Sequence, residues 1–174
     1  ATKYFSGHSD AMGGSLAVNK KVFKYIMFFY KLSGYRLSAD EAYLIIRGLR
    51  TLDTRLKQHY ESTKIVINFL KRQKKIKEIL YPHKISSKNY KLWKKYYSGA
   101  TGLFSIVIKS KKKSSVIKFV NSLELFGIGY SWGGFESLAI LQELRASKDE
   151  YSQGRRFFRF NKDEHIVRLH IGLE

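Results

Sequence analysis

Lys3 is the first residue of the sequence whose surroundings suit chemistry. It lies beside Thr2, and two aromatic residues that could shield the amine from water follow it directly. A lysine amine is a nucleophile only when it is deprotonated, and a partly enclosed amine suits covalent bonding to a carbonyl compound. Hydroxyl groups and backbone amides nearby could bind a phosphate. The alternative is a solvated lysine, which composition alone favours.

Arg168 is a second candidate, because it interrupts the apolar run Ile166-Val167-Arg168-Leu169. A guanidinium group in a buried strand needs an anionic partner. A substrate carboxylate could provide it through two parallel hydrogen bonds, and a protein carboxylate could do the same as a salt bridge. The nearby cluster Tyr130-Ser131-Trp132-Gly133-Gly134 can line a pocket or fill a corner of the core.

Two further groups favour structural roles over chemical ones. Residues 6–10 contain serine, histidine and aspartate, the residue types of a hydrolase triad. Residues this close in sequence rarely reach triad geometry, and no strand-to-helix elbow frames either serine, so we predict a turn. His59 falls on the apolar face of a predicted helix, which indicates a hydrogen-bonded core or interface histidine. No set of metal ligands is predicted.

The elements that must position these residues include a long helix. Ser38-Ala39-Asp40-Glu41 has the pattern of a capping box. Apolar or semi-apolar side chains then recur in steps of three and four, at Ala42, Ile45, Leu49, Leu52, Leu56, His59, Thr63, Val66 and Leu70. The pattern predicts one helix over 39–72, about 50 Å long at about 1.5 Å per residue. A helix of this length typically bridges two domains.

The rest of the chain alternates short elements. Apolar runs predict strands at 78–81, 102–108, 126–130 and 166–171, and helices at the end of 15–32, at 89–97 and at 114–123. The resulting order β-α-β-α-β-β predicts an α/β layer with helices packed against one sheet. We interpret the polar stretch 146–154 as a loop and the basic-aromatic segment 155–160 as a surface extension.

Composition limits the possible partners. A formal net charge of +19 is typical of proteins that bind nucleic acids or anionic membranes. The lysines, however, are scattered among apolar segments, and no nucleic-acid-binding motif accompanies them. We therefore predict no nucleic-acid partner.

The sequence has no uncharged apolar run of about 18 residues, so no membrane span is predicted. The absence of cysteine excludes disulfides and thiolate chemistry, and no secretory pattern is visible. We expect a cytoplasmic protein.

Four stretches resemble one known family. ATKYFSGHSDAMGG (1–14) resembles the lysine motif of the Cys/Met-metabolism family of pyridoxal 5'-phosphate (PLP) enzymes, which have fold type I. The segment 39–63 resembles the linker helix of the same family. YSWGGFESL (130–138) and IVRLHIGLE (166–174) resemble its substrate-binding segments. The resemblance extends over essentially the whole chain in unbroken order.

This resemblance implies a role for each candidate residue. Lys3 would bond covalently to PLP, abstract the α-proton of the substrate and return a proton to the leaving sulfur. Thr2 would contact the cofactor phosphate. Arg168 would bind the substrate α-carboxylate, and Ser131 and Trp132 would shape the site beside it.

The resemblance also implies an activity. Trp132 and the sequence of residues 168–174 favour a carbon–sulfur β-lyase of methionine biosynthesis and transsulfuration. Many relatives that act at the γ-carbon have leucine at the position of Trp132. The substrate would be a small thioether amino acid such as cystathionine, and the enzyme a homo-oligomer. The alternatives are a γ-lyase, a γ-synthase, a cysteine desulfhydrase and a non-catalytic remnant.

Members of the family carry roughly a further half chain before the lysine motif. That half provides the aspartate for the pyridinium nitrogen and the phosphate-binding loop. We therefore expect the chain to comprise the end of the large PLP-binding domain (1–37), an interdomain helix (38–73) and most of the small C-terminal α/β domain (74–174). Such a part alone would bind PLP weakly or not at all, be inactive by itself and expose an apolar face.

Overall fold

The computed structural model describes residues 1–83, 89–142 and 161–174. Within them the helices are α1 (Lys20–Ser33), α2 (Ala39–Leu49), α3 (Leu52–Leu70), α4 (Tyr90–Tyr96) and α5 (Lys113–Asn121). The strands are β1 (Ile76–Leu80), β2 (Leu103–Lys109), β3 (Gly127–Ile128), β4 (Leu138–Gln142) and β5 (Glu164–His170). The predicted loop at 146–154 and the basic-aromatic segment 155–160 lie outside the described residues.

The strands form one sheet in the order β1-β2-β5-β4-β3. All neighbours pair antiparallel except β3 and β4, which run parallel. The predicted α/β class is confirmed. The sequence prediction missed β4, because a short apolar run does not distinguish a strand from part of a helix by its periodicity. The sheet places β5, which carries Arg168, between β2 and β4.

The core lies between the sheet and the helices α3 and α5. Ile106 and Val107 are adjacent on β2 and both are fully buried, so both faces of this interior strand are covered. Val116 and Val120 lie one helical turn apart on α5 and belong to the same apolar cluster as Ile106. The sheet that carries the candidate arginine is therefore rigidly packed at its centre.

The turn that contains the candidate lysine is compact. Residues 2–7, called the lysine turn below, are closed by hydrogen bonds from the Gly7 N–H to the Lys3 carbonyl at 2.8 Å and from the Ser6 N–H to the Ala1 carbonyl at 3.1 Å. Gly7 has a φ of +74°, in the left-handed region that favours glycine. The lysine turn lies against α2, where the Phe5 and Ser6 carbonyl groups approach Gly48.

The prediction of one continuous helix over 39–72 is wrong, because α2 and α3 are separate helices. The Gly48 carbonyl oxygen accepts hydrogen bonds from the Thr51 N–H at 3.2 Å and from the Arg55 guanidinium at 2.6 Å. The Thr51 backbone, at φ −110° and ψ 5°, leaves the helical region. An i→i−3 bond therefore tightens the chain at this point, and the axis is interrupted beside the lysine turn.

Helix α1 has well-formed ends but no buried residue. The Asn19 side chain caps its first turn by accepting from the Val22 N–H, and Gly34 ends it with a φ of 69°. Its apolar side chains are exposed in this structure, among them Phe23, Phe28, Phe29 and Leu32. No helix in the described ranges is long and apolar enough to span a membrane.

The close contact at Gly48 yields a first prediction. An alanine Cβ at this position would collide with the backbone carbonyl groups of Phe5 and Ser6. Alanine is favoured over glycine in helices by about 1 kcal/mol. We nevertheless expect Gly48→Ala to lower the free energy of unfolding by about 1–3 kcal/mol, the usual cost of overpacking. Urea denaturation of the full-length gene product measures the change.

The matched control for this prediction is Gly99→Ala. An added Cβ at Gly99 meets no atom within 4 Å. Its substitution is expected to leave the urea midpoint within experimental error or to raise it slightly. Equal effects of the two substitutions would contradict the packing described for Gly48.

Candidate functional site

The Lys3 amine lies against the segment 130–133, called the site loop below. Its Nζ donates a hydrogen bond to the Ser131 hydroxyl oxygen at 3.1 Å, and it lies 4.3 Å from the centroid of the Trp132 ring. Lys3 and Trp132 are half-buried, whereas Ser131 is exposed. Fold topology therefore brings together residues that are about 130 positions apart in the sequence.

Arg168 approaches the same aromatic ring from β5. Its guanidinium carbon lies 5.3 Å from the centroid of the Trp132 ring, and its Nη2 donates to the Tyr130 carbonyl oxygen. Among the residues that the structure describes, no carboxylate lies within 4.0 Å of this guanidinium. The salt bridge considered as an alternative from the sequence is therefore not formed there. Further guanidinium N–H groups remain for an external anion.

The arrangement places two cations on one indole ring. Tryptophan is the aromatic side chain that attracts cations most strongly, which accounts for the position of both groups. Two like charges at one ring repel each other, and an anion bound beside them relieves that repulsion. An amine that can bond to a carbonyl compound thus stands next to a guanidinium that can bind a carboxylate. This geometry suits a small molecule with an amino-acid backbone.

Thr2 adjoins Lys3 in the chain, but its side chain points to a different partner. The Thr2 hydroxyl donates to the Gly13 carbonyl at 3.2 Å and accepts from the Gly13 N–H at 2.9 Å. These bonds close the loop that follows the lysine turn. A contact between Thr2 and a cofactor phosphate would replace or add to them, and that role stays a prediction.

The serine, histidine and aspartate residues of 6–10 do not form a catalytic triad. The buried Ser6 hydroxyl donates to the Thr2 carbonyl at 2.9 Å, and the His8 ring nitrogen Nδ1 lies 2.6 Å from the Ser6 carbonyl oxygen. The Ser9 hydroxyl donates to a Glu136 carboxylate oxygen at 2.8 Å. The predicted structural turn is confirmed.

Sequence reasoning missed Arg55, which fixes the lysine turn in place. Arg55 is 6% exposed, and its guanidinium donates to the carbonyl oxygens of Tyr4 at 2.8 Å, Phe5 at 3.3 Å and Gly48 at 2.6 Å. Burial lowers the pKa of this guanidinium. The spacing in the sequence was a signal, because Arg55, His59 and Thr63 are four residues apart and therefore share one face of a helix. The structure shows that all three are buried.

Two buried histidines lie behind the lysine turn. His59 is fully buried, and its Nδ1 donates to the Ile171 carbonyl oxygen at 2.8 Å, which confirms it as a hydrogen-bonded core histidine. His170 lies with its ring centroid 5.2 Å from that of His59. Burial lowers the pKa of both residues, that of His170 to about 4. The His170 ring is therefore uncharged at neutral pH.

The fold and the site together define a class of protein. The Lys3 amine and the guanidinium of Arg168, which lies on the central strand of the sheet, meet at the Trp132 ring. An amine that can bond to a carbonyl compound beside a guanidinium that can bind a carboxylate is an arrangement that suits the class of enzymes that use a carbonyl-containing cofactor.

Comparison with known proteins identifies the family. The family model described as Cys/Met metabolism PLP-dependent enzyme matches residues 1–174. The chain therefore belongs to this family of PLP-dependent enzymes, which confirms the resemblance found in the sequence and the cofactor that it implies.

Three relatives illustrate the similarity. The chain is 37% identical to the cystathionine β-lyase of Escherichia coli (strain K12), over 100% of this chain and 43% of that protein. It is 35% identical to the L-alanine/L-glutamate racemase of Wolbachia pipientis wMel, over 99% of this chain and 42% of that protein. The crystal structure of cystathionine γ-synthase from Xanthomonas oryzae pv. oryzae superposes with a TM-score of 0.83 at 28% identity, covering 99% of this chain and 44% of that one. The chain thus spans less than half the length of these relatives.

The residues at the Trp132 ring fit the PLP cofactor of the family. The Lys3 amine makes one hydrogen bond, to Ser131, and no ion pair in the described part of the chain, so it can bond to the cofactor aldehyde without breaking a salt bridge. Arg168 likewise has no carboxylate partner there. Lys3 would hold the cofactor, and Arg168 would hold the substrate beside it.

Arg55 gives a prediction for the geometry of the site. Arg55→Leu leaves the partly buried carbonyl groups of Tyr4 and Phe5 without this donor and removes one of the donors to the Gly48 carbonyl, and a buried polar group without a partner costs about 1–3 kcal/mol. We expect the free energy of unfolding to fall by about 2–4 kcal/mol. Denaturant unfolding of the full-length gene product measures it, together with the amount of PLP bound.

Arg50→Leu is the control for this substitution, because Arg50 is exposed at the same joint between α2 and α3. It is expected to change the free energy of unfolding by less than about 0.5 kcal/mol. If Arg55→Leu is as well tolerated as the control, Arg55 does not hold the lysine turn.

Proposed function

We propose that this chain contributes the lysine and the substrate-carboxylate site of a PLP-dependent carbon–sulfur β-lyase, which converts cystathionine to homocysteine, pyruvate and ammonia. The observation that carries the proposal is the meeting of the Lys3 amine and the Arg168 guanidinium on the Trp132 ring. The identity of 37% with the Escherichia coli cystathionine β-lyase supports the choice within the family.

Each residue at the ring has a role in the proposal. PLP, when bound, withdraws electrons from the substrate α-carbon. Lys3 Nζ accepts the α-proton and delivers a proton to the sulfur that leaves the β-carbon. The free N–H groups of Arg168 bind the α-carboxylate, preferably through two parallel hydrogen bonds. Ser131 holds the Lys3 amine near the ring, and Thr2 contacts the cofactor phosphate.

The proposal includes a cytoplasmic homo-oligomer. The absence of cysteine from the chain suits a reducing compartment. The exposed apolar side chains of α1 are of the kind that other protein surfaces cover, which supports a larger assembly.

A second candidate function is amino-acid racemisation. The observation that favours it is the identity of 35% with the Wolbachia L-alanine/L-glutamate racemase. The same two groups would serve, since Lys3 would move the α-proton and Arg168 would hold the carboxylate. The difference is chemical, because racemisation releases no sulfur and forms no 2-oxo acid.

Product analysis tests the proposal. The full-length gene product, loaded with PLP, is expected to release pyruvate and homocysteine from L-cystathionine. Release of 2-oxobutyrate and cysteine instead would indicate cleavage at the γ-carbon. Formation of D-alanine or D-glutamate from the L-isomers, without any 2-oxo acid, would indicate a racemase. Either result would contradict the β-lyase, as would the absence of all these products.

Substitution of Lys3 tests its role in that reaction. Lys3→Ala is expected to lower kcat by at least about 10²–10⁴-fold, the usual contribution of acid–base catalysis. Lys118→Ala is the control, because this lysine is exposed on α5. Pyruvate release by Lys3→Ala at a rate close to that of the control would exclude Lys3 from the chemistry.

Arg168→Lys tests the carboxylate site. Lysine keeps the positive charge but cannot form two parallel hydrogen bonds to a carboxylate. A charge-assisted hydrogen bond contributes about 1.5–3 kcal/mol, so we expect KM for cystathionine to rise about 10–100-fold. Arg47→Lys, at an exposed position on α2, is expected to leave KM unchanged. An unchanged KM in Arg168→Lys would place the carboxylate site elsewhere.

A further inference from the structure

His170 has no role in the chemistry described above, yet it lies beside the groups that perform it. It follows Arg168 by two positions on β5, so both side chains point to the same face of the sheet. The ring of His170 is 1% exposed. The large majority of buried side-chain polar atoms have a hydrogen-bond partner, so the partners of both ring nitrogens are informative.

The site loop is attached to β5 at both of its ends. At its beginning, the Tyr130 carbonyl oxygen accepts from the Arg168 guanidinium. At its end, the Gly133 N–H donates to His170 Nε2 at 2.9 Å, in a buried hydrogen bond. The two loop residues that contact Lys3 lie between these attachments. Arg168 and His170 therefore hold the part of the loop that faces the reactive amine.

Gly133 also rests directly on the lysine turn. Its φ is +80°, and a Cβ at this position would lie 2.8 Å from the Tyr4 nitrogen, 3.0 Å from the Lys3 carbonyl carbon and 3.1 Å from the Lys3 Cβ. No side chain separates the two backbones. A displacement of Gly133 therefore changes the distance between the Trp132 ring and Lys3 directly.

Hydrogen bonding assigns one form to the His170 ring. Nε2 faces a backbone N–H, so it must be an unprotonated acceptor. Nδ1 lies 3.0 Å from the Glu136 carbonyl oxygen, so it must carry a proton and donate. The ring is thus fixed between two backbone groups, one on each side of it.

We propose that His170 is a positioning residue for the lyase reaction. Its unprotonated Nε2 holds the Gly133 N–H and so sets Ser131 and Trp132 at their distances from Lys3. This inference rests on the proposed function, because positioning matters only if Lys3 performs the chemistry.

Two substitutions separate the two hydrogen bonds of the ring. In His170→Gln the side-chain oxygen can take the place of Nε2 and accept from the Gly133 N–H. In His170→Asn the amide N–H can take the place of Nδ1 and donate to the Glu136 carbonyl, but no acceptor reaches Gly133. Each variant loses one buried hydrogen bond, so the two are expected to lose similar stability in denaturant unfolding.

The two variants are expected to differ in activity. A displacement of about 1 Å in a catalytic geometry costs about 10²-fold in rate. We therefore expect kcat of the PLP-loaded, full-length gene product to fall about 10²-fold in His170→Asn and to stay within about tenfold of the wild type in His170→Gln. The change should appear in kcat more than in KM, because Arg168 still holds the substrate.

A second measurement does not depend on turnover. The protein is labelled with 5-fluorotryptophan, and the ¹⁹F resonance of Trp132 is assigned by its loss in Trp132→Phe. This resonance is expected to shift or broaden in His170→Asn and to keep its position in His170→Gln. If the wild type cleaves no cystathionine, the proposed function fails and the ¹⁹F comparison still decides whether His170 holds the site loop.

Equal loss of kcat in the two variants would overturn the proposal, since it would show a purely structural role. So would a Trp132 resonance that does not change in His170→Asn. If His170→Asn does not fold, His170→Leu replaces it, because leucine fills the space without an acceptor for Gly133. If neither variant folds, His170 is a folding residue and the proposal is also overturned.

Discussion

The interaction on which the site depends is the set of hydrogen bonds made by one buried cation, Arg55. Its guanidinium binds the carbonyl oxygens of Tyr4 and Phe5 and that of Gly48. Carbonyl dipoles, not a carboxylate, therefore stabilise the charge, and they come from both sides of the contact between the lysine turn and α2. The break between α2 and α3 lies at the same carbonyl of Gly48, which accepts from the Thr51 N–H and from the Arg55 guanidinium.

The lysine turn, which Arg55 holds, is connected to the sheet through the site loop. The lysine turn comes from the start of the chain and β5 from its end, and the site loop joins them. Arg168 and His170 hold the loop from β5, while Gly133 lies on the backbone of Lys3. Two cations then share the Trp132 ring, and the space beside them favours an anionic group such as a carboxylate. Buried residues of β2 and β5 pack closely in the sheet that carries Arg168 and His170.

Much of this could be predicted from the sequence. The α/β class, most of the strands and the turn around Ser6 follow from local patterns, and the Lys3 and Arg168 candidates follow from residue type and context. The break at Thr51 could not be predicted from the apolar stripe, which continues through it, because the break lies where the Gly48 carbonyl accepts from the Thr51 N–H and from the Arg55 guanidinium. The hydrogen bond between His170 and Gly133 could not be predicted either, since its donor is a backbone N–H that no side-chain pattern reveals.

The most direct test is to locate the cofactor on the chain. The PLP-loaded, full-length gene product is reduced with borohydride, digested and analysed by mass spectrometry. We expect the phosphopyridoxyl group on the peptide that contains Lys3, and on no other lysine. Its attachment to a different lysine, or its absence after PLP has been shown to bind, would contradict the account.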